Sequence, residues 1–443
     1  MEDSRQRKIR VLMLPWLAYG HISPFLELAK RLSNRNFHIY FCSTLVNLTS
    51  IKLEISEKYY HSIQLVELHL SSLPELPPNY QTTKGLPPHL MLALKKAFDM
   101  ASPDFSNILK TLNPDLLIYD FLQPWVPALA LSQKIPSINF MTMGATMISF
   151  LLHIMKNPDD EFPFQELHLQ DYRKLKLTQL DKSYSSQVLL WLKQPFDSVL
   201  IKTFPELEGK RVDYLSALMG KKVVPVGPLV QEAVHEDNEK TNTIEWLDEK
   251  EPSSSVFVSF GSEYFLSKED LEEIAYGLEF SKVNFIWVIR FPLTERIKFE
   301  EALPRGFLGR VGSRGKIVEN WAPQAKILAH SSIGGFLSHC GWSSVMESMK
   351  FGVPIIAMPM HIDQPINARL VEEVGVGTEV KRNKDGKFAR EEVAKVIKEV
   401  MLENKGNDIR RKSGEMGENI RIRGEKDIEG VVDELTKLCV TGI

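Results

Sequence analysis

Short apolar runs alternate with amphipathic stretches along most of the chain, which is the pattern of repeated β-α-β units. Ile9–Trp16 (IRVLMLPW) is too apolar for an exposed edge and predicts a central strand of a parallel sheet. Ala18-Tyr19-Gly20-His21 predicts a turn, and Ser23-Pro24 a helix start with proline in its tolerated first turn. In Phe25–Ser33 the apolar Phe25, Leu28, Ala29 and Leu32 recur at helical spacing, with Glu27, Lys30 and Arg31 on the other face. His38–Cys42, Ile63–Leu68, Asp115–Tyr119 and Ile135–Phe140 predict further strands. Leu73–Pro88 predicts a proline-rich loop and His89–Met100 a helix. Gly144–Phe196 is rich in Phe, Leu, Met and Trp without a strong period, which suits either the wall of an apolar cleft or ordinary core.

Val223–Val230 closes the first half. Gln231–Asn242 (QEAVHEDNEKTN) is polar and acidic and predicts a linker. A second series follows, with strands at Ser255–Phe260, Asn284–Ile289, Gly315–Glu319, Ile333–Leu337 and Gly352–Met358 and a helix at Lys268–Phe280. Asp408–Leu438 predicts a charged, helix-prone tail. The expected fold class is α/β, with two Rossmann-like halves and an inter-domain cleft.

Composition changes this picture little. The 443 residues are 43% hydrophobic and 25% charged, which gives length for two cores in an ordinary globular chain. A formal charge of −3 gives no reason to expect nucleic-acid binding. Cys42, Cys340 and Cys439 are too few and scattered for a disulfide framework or a zinc cluster. No signal peptide or membrane-length apolar run is visible, and Cys439 is one place too early for a prenylation box. Asn47-Leu48-Thr49 fits the glycosylation pattern but is expected to stay idle. A cytoplasmic protein is expected, without stable membrane insertion.

The chemistry concentrates in Trp321–Gln364 (WAPQAKILAHSSIGGFLSHCGWSSVMESMKFGVPIIAMPMHIDQ). There Ile333–Leu337 feeds the turn Cys340-Gly341-Trp342, and Ser343-Ser344 stand where a helix N-cap belongs. A strand, a small-residue turn and a helix N-terminus offer backbone N–H groups and partial positive charge to a phosphate, with His339 and Glu347 bordering the pocket. Many parallel α/β domains have such a junction and bind nothing charged. His21 and Asp120 both fall at the carboxyl edge of predicted strands. If strands one and four are neighbours, they form a dyad in which the carboxylate steadies the imidazolium; otherwise His21 is a cap or a surface residue. No G-x-G-x-x-G follows the first strand. The P-loop, H-E-x-x-H, C-x-x-C and G-x-S-x-G patterns are absent as well.

The stretch from W-A-P-Q to D-Q resembles the signature box of plant family-1 UDP-sugar glycosyltransferases. Similarity spans essentially the whole chain, including Pro15–His21, Tyr119-Asp120 and Ser259-Phe260-Gly261-Ser262. The wording LPWLAYGHISPFLELAK, TTKGLPPHLM, LLIYDFLQPW and VSFGSEYFLS is similar to the branch-forming subgroup, which adds a sugar to a sugar on a flavonoid or triterpenoid. The resemblance implies a GT-B fold, two Rossmann-like domains facing each other across a cleft. Its divisions would be an acceptor domain 1–230, a linker 231–242, a UDP-sugar domain 243–425 and a C-terminal helix 426–443 returning to the first domain. His21 would be the base and Asp120 its orienting partner, in an inverting, metal-independent transfer.

Trp321 would stack on uracil, with Ala322 and Gln324 near base and ribose, and Glu347 would hold the ribose hydroxyls. His339, Ser343, Ser344 and the Ser262 region would bind the diphosphate on the Gly341 turn. Trp342, Asp363 and Gln364 would contact the donor sugar. Tyr19, Phe121, Trp125, Met143 and Phe150 are expected on the acceptor side. Each has a plainer alternative: Trp321 and Trp342 as core aromatics, Ser343 and Asp363 as caps, Glu347 as a solvated residue. One departure is Ser343, where the family usually has asparagine; a shorter donor would alter phosphate affinity slightly. The expected partners are a UDP-sugar, glucose by the precedent of Gln364, and a small-molecule glycoside acceptor, with no cofactor, no metal and a monomeric state. Rhamnosyl transfer, direct glucosylation of an aglycone and a non-catalytic UDP-sugar-binding protein are the alternatives, and a dehydrogenase ranks below them.

Overall fold

The computed structural model describes residues 7–167, 197–232, 242–291 and 298–441. The chain divides into two compact units, and residues from 425 onward belong with the N-terminal one.

The first unit is built on seven parallel strands in the order β3-β2-β1-β4-β5-β6-β7. These are β1 (Ile9–Leu14), β2 (Phe37–Ser43), β3 (Ile63–Glu67), β4 (Leu116–Asp120), β5 (Ser137–Met141), β6 (Ser198–Ile201) and β7 (Lys222–Pro225). Strand β1 is internal, as its apolar run predicts, and pairs with β4 so that Leu14 stands opposite Tyr119. The period-two pattern sends Val11, Met13, Leu116 and Ile118 to one face and Leu12, Leu14, Leu117 and Tyr119 to the other. The first face packs against Phe25, Leu28 and Leu32 of the helix Tyr19–Ser33. It is also covered by Ile428, Val431 and Leu435, at helical spacing on Lys426–Thr441. Burying one such side chain contributes about 1.5–3 kcal/mol, so this face is held largely by side-chain burial.

Several elements differ from the sequence reading. The first helix begins at Tyr19 rather than Ser23, because the amides of His21 and Ile22 already donate to Ala18 O at 2.9 Å. Pro24 therefore lies inside the helix, beyond the first turn. The charged tail is two helices, Asn407–Arg423 and Lys426–Thr441, broken at Gly424, which takes a φ of 57°. Helices Leu45–Glu54 and Ser102–Leu112, strand β6 and helix Pro205–Met219 were not foreseen. Of the apolar segment Gly144–Phe196, residues 145–156 form a helix and 165–167 a single 3₁₀ turn, while 168–196 lie outside the described residues. Most of the linker 231–242 also lies outside them, and a helix begins at Asn242.

The second unit has six described strands, all parallel, in the order β10-β9-β8-β11-β12-β13. They are β8 (Ser255–Ser259), β9 (Asn284–Ile289), β10 (Gly315–Glu319), β11 (Ile333–Ser338), β12 (Ile355–Ala357) and β13 (Gly377–Glu379). In β9 the period is explicit: Phe285, Trp287 and Ile289 pack on one face, Ile286 and Val288 on the other. Since β8, β9 and β11 are parallel neighbours, the loops leaving them emerge at one carboxyl edge, where open α/β sheets carry their ligand sites.

Candidate active site

In the first unit the dyad geometry follows from strand parity. Leu116 and Ile118 point to the face covered by helix Tyr19–Ser33, and Asp120, two residues on, emerges on that same face at the end of β4. His21 is the third residue of that helix, and its Nδ1 lies 2.6 Å from Asp120 Oδ2. Asp120 is fully buried, which suits a carboxylate only where donors surround it. The amide of Trp16 donates to Oδ2 at 3.3 Å and that of Leu122 to Oδ1 at 3.2 Å. A carboxylate can only accept, so the proton between His21 and Asp120 belongs on Nδ1, and in the neutral imidazole Nε2 is then the acceptor nitrogen.

Thr142, just after β5, places Oγ1 3.1 Å from the same Nδ1. It was missed in the sequence because the β1-β4-β5 neighbourhood is a property of strand order. Phe121 lies beside the dyad, its ring centre 6.0 Å from that of His21. Tyr19 is exposed on the helix that carries His21, Met143 is nearly buried, and Phe150 is half-buried on helix Ala145–Lys156. The start of that helix is held by buried Glu208, which accepts from the amides of Ala145 at 2.9 Å and Thr146 at 2.7 Å. Trp125 is engaged elsewhere: Nε1 donates to Asp99 at 3.0 Å, and the ring packs edge-on against Phe105.

In the second unit the chain leaves β11 through His339, Cys340 and Gly341. The helix starts at Trp342, with Gly341 at the N-cap and no side-chain cap. Ser343 and Ser344 thus sit inside the first turn and not at the cap, a correction to the sequence reading. The amide of Val345 already donates to Gly341 O at 3.0 Å, which fixes the cap two residues before Ser343. The first-turn amides of such a helix have no intrahelical acceptor and offer an anion site. Cys340 adopts a left-handed φ of 63°, which turns the chain sharply between His339 and Gly341.

The His339 ring is packed between two glycines. A Cβ at Gly261 or at Gly341 would stand 2.6 Å from its Nε2. Burial pushes His339 down to about 3, and the neighbouring His361 and Arg290 add to this, so the ring is neutral at physiological pH. The sign of the linkage follows. From the ordinary 6.5 down to about 3, the unfolded chain binds a proton on this ring and the folded chain does not, so stability falls as pH drops through that window. Removing this ring in His339→Gln is expected to flatten the acid loss of stability by up to about 1.4 kcal/mol per pH unit. Urea denaturation of both proteins at several pH values within the window checks it; parallel slopes would contradict it.

Around this turn, Gln324 Nε2 donates to Ser344 Oγ at 3.2 Å and to Glu347 Oε2 at 2.7 Å, tying two of the expected base and ribose contacts to an expected diphosphate contact. Trp321 is 60% exposed, which disfavours the core-aromatic alternative for it, whereas Ala322 and Trp342 are buried. Ser262 lies in the turn that follows Gly261. Asp363 occupies the N-cap position of helix Gln364–Val374, yet its side chain makes no capping bond. Instead Oδ2 accepts from Asn367 Nδ2 at 2.7 Å. Gln364 Oε1 accepts from the amides of Met360 and His361 at 2.9 and 3.0 Å, closing the loop before the helix. Asn367 was missed because it lies three residues beyond the box. Among the described residues, no cluster of three or more His, Cys, Asp or Glu is arranged to hold a metal, and no helix is long and apolar enough to cross a membrane.

Known proteins share this architecture. Residues 7–231 match the glycosyltransferase N-terminal domain, and residues 233–413 match the UDP-glucoronosyl and UDP-glucosyl transferase family. A mogroside IIIx synthase of Siraitia grosvenorii is 57% identical, over 97% of this chain and 93% of its own. A beta-D-glucosyl crocetin beta-1,6-glucosyltransferase of Gardenia jasminoides is 50% identical, over 96% and 98%. The solved structure of a UDP-glucosyltransferase from Polygonum tinctorium capable of glucosylating indoxyl is 26% identical, with a TM-score of 0.80 and 98% of both chains covered. With both halves matched in order and the relatives aligned nearly end to end, the chain belongs to the plant family-1 UDP-sugar glycosyltransferases, enzymes of the GT-B fold.

Proposed function

We propose that this enzyme moves glucose from UDP-glucose to a sugar hydroxyl of a plant triterpenoid or flavonoid glycoside, inverting the anomeric centre. The observation that carries the chemical part is the short contact between His21 Nδ1 and the buried Asp120 carboxylate, which leaves Nε2 as acceptor for a proton. His21 takes the proton of the attacking hydroxyl through Nε2, and Asp120 steadies the imidazolium that results. The hydroxyl attacks the anomeric carbon, the bond to the β-phosphate oxygen breaks, and UDP leaves with its electron pair. First-turn amides at Trp342, Ser343 and Ser344, the serine hydroxyls and neutral His339 receive the growing charge on the diphosphate, with Ser262 beside them. Trp321 stacks on uracil beside Ala322, Gln324 and Glu347 hold the ribose, and Trp342, Asp363 and Gln364 read the sugar.

Transfer onto a sugar is supported by the Gardenia jasminoides relative, whose name specifies a glucosylated acceptor and a β-1,6 linkage. Tyr19, Phe121, Met143 and Phe150 contribute to acceptor binding, and Trp125 shapes that wall through its packing on Phe105. The enzyme works as a cytoplasmic monomer without metal or cofactor. Incubation with UDP-glucose or UDP-rhamnose and with flavonoid and triterpenoid monoglucosides or their aglycones tests the reading. Glucose transfer onto the monoglucosides is expected. Transfer to aglycones alone would overturn it, and so would UDP-glucose binding with no transfer to any acceptor.

A further inference from the structure

Asn367 is fully buried in the first turns of helix Gln364–Val374, and its Nδ2 has two acceptors. It donates to Cys340 O at 3.0 Å and to Asp363 Oδ2 at 2.7 Å. Both partners only accept, so the amide orientation is forced: turned over, its oxygen would face a carbonyl and a carboxylate. One nitrogen carrying two hydrogens is what this position uses. Aspartate has the same shape and offers at most one, and only when protonated. Leucine offers none.

The same side chain pays no evident dividend to the core. Its Oδ1 is buried with no hydrogen-bond partner among the described residues, an arrangement that costs stability relative to an apolar side chain of similar volume. What the amide does achieve is a connection. It joins the left-handed Cys340 turn, which carries His339 and Gly341, to the carboxylate of Asp363. The turn has supports of its own: Cys340 N donates to Ser338 Oγ at 3.1 Å, and Val345 N to Gly341 O at 3.0 Å.

We infer that Asn367 is a positioning residue that aims Asp363 at the hydroxyls of the donor sugar from the turn that holds the diphosphate. This rests on the reading of Asp363 as a donor-sugar contact. Loss of the amide therefore loosens recognition of the sugar while the diphosphate cradle persists.

The test uses the full chain with four variants: Asn367→Ala, the size-matched Asn367→Asp, Asp363→Ala and the double variant Asn367→Ala with Asp363→Ala. The readouts are KM for UDP-glucose, kcat, inhibition by UDP and the thermal midpoint. Either Asn367 variant should raise KM for UDP-glucose about tenfold while UDP inhibition changes by less than about threefold. In the Asp363→Ala background the Asn367 substitution should add almost nothing, because the group it positions is gone. Equal weakening of UDP and UDP-glucose would overturn the inference, and so would an unchanged KM in both Asn367 variants alongside a raised KM in Asp363→Ala. An unchanged KM in Asp363→Ala would instead defeat the reading of Asp363 itself, and the inference with it.

Discussion

His21→Ala is expected to lower kcat by about two to four orders of magnitude while UDP binding stays within about twofold. The rate loss corresponds to about 3–5 kcal/mol of transition-state stabilisation. The substitution removes the only group of the dyad that can take a proton through a nitrogen, and water replaces it poorly. It also takes one donor from the buried Asp120 carboxylate, which keeps the amides of Trp16 and Leu122. Some thermal stability is therefore lost, and the comparison is made on folded protein, confirmed by circular dichroism. Asp120→Asn separates orientation from proton uptake. Its amide keeps the size of the side chain but cannot stabilise a charged imidazolium, so kcat should fall by about the same range while KM for UDP-glucose changes little. Titration calorimetry with UDP and initial-rate kinetics measure both effects. Near-normal turnover in His21→Ala would remove the assigned base.

The second large effect is expected at Gly261, in the other unit. Gly261 has a φ of 78°, a conformation that costs an L-residue about 1–2 kcal/mol. An added Cβ would also stand 2.6 Å from Nε2 and 2.8 Å from Cε1 of His339. The ring cannot step aside without meeting Gly341, where a Cβ position lies just as close. Gly261→Ala therefore displaces the His339 ring from the place where it is proposed to meet the diphosphate. UDP affinity should fall about 30-fold to 100-fold, equivalent to about 2–3 kcal/mol. The acceptor side, proposed on the first unit, should be untouched, so acceptor-glycoside binding measured by fluorescence quenching should be unchanged. Equal UDP affinity in wild type and variant would show that the ring's seat between the glycines does not matter for the donor.

Legibility in the sequence depended on the kind of information each element carries. Strand β10, a partly exposed edge strand, was read with its observed bounds, and so was β9, where dense apolar residues between polar breaks leave little freedom for a buried parallel strand. Strand β1 was correctly read as internal for the same reason. Helix starts were less legible. Ser343-Ser344 have the composition of a cap, yet the backbone of Gly341 takes that position, and the helix that Pro24 predicts to start at Ser23 opens at Tyr19. Helix Leu45–Glu54 was missed because Leu45, Val46 and Leu53 face solvent and blur its period. His339, Ser343, Ser344 and Glu347 were named from a strand, turn and helix pattern, the other box residues from a resemblance, and His21 with Asp120 from their places at strand ends. Thr142 and Asn367 were invisible to both routes. Their partners, 121 and 27 residues away, are set by strand order and by helix packing rather than by local pattern.

The most direct test follows the anomeric centre. Proton NMR of a reaction between UDP-α-glucose and a flavonoid or triterpenoid monoglucoside observes donor and product together. Loss of the donor's α-anomeric doublet should be matched by a new β-anomeric proton with a large vicinal coupling. Its through-bond correlation should lead to a carbon of the first sugar. An α-linked product would contradict the inverting, single-displacement account, and a correlation to an aglycone carbon would contradict transfer onto a sugar.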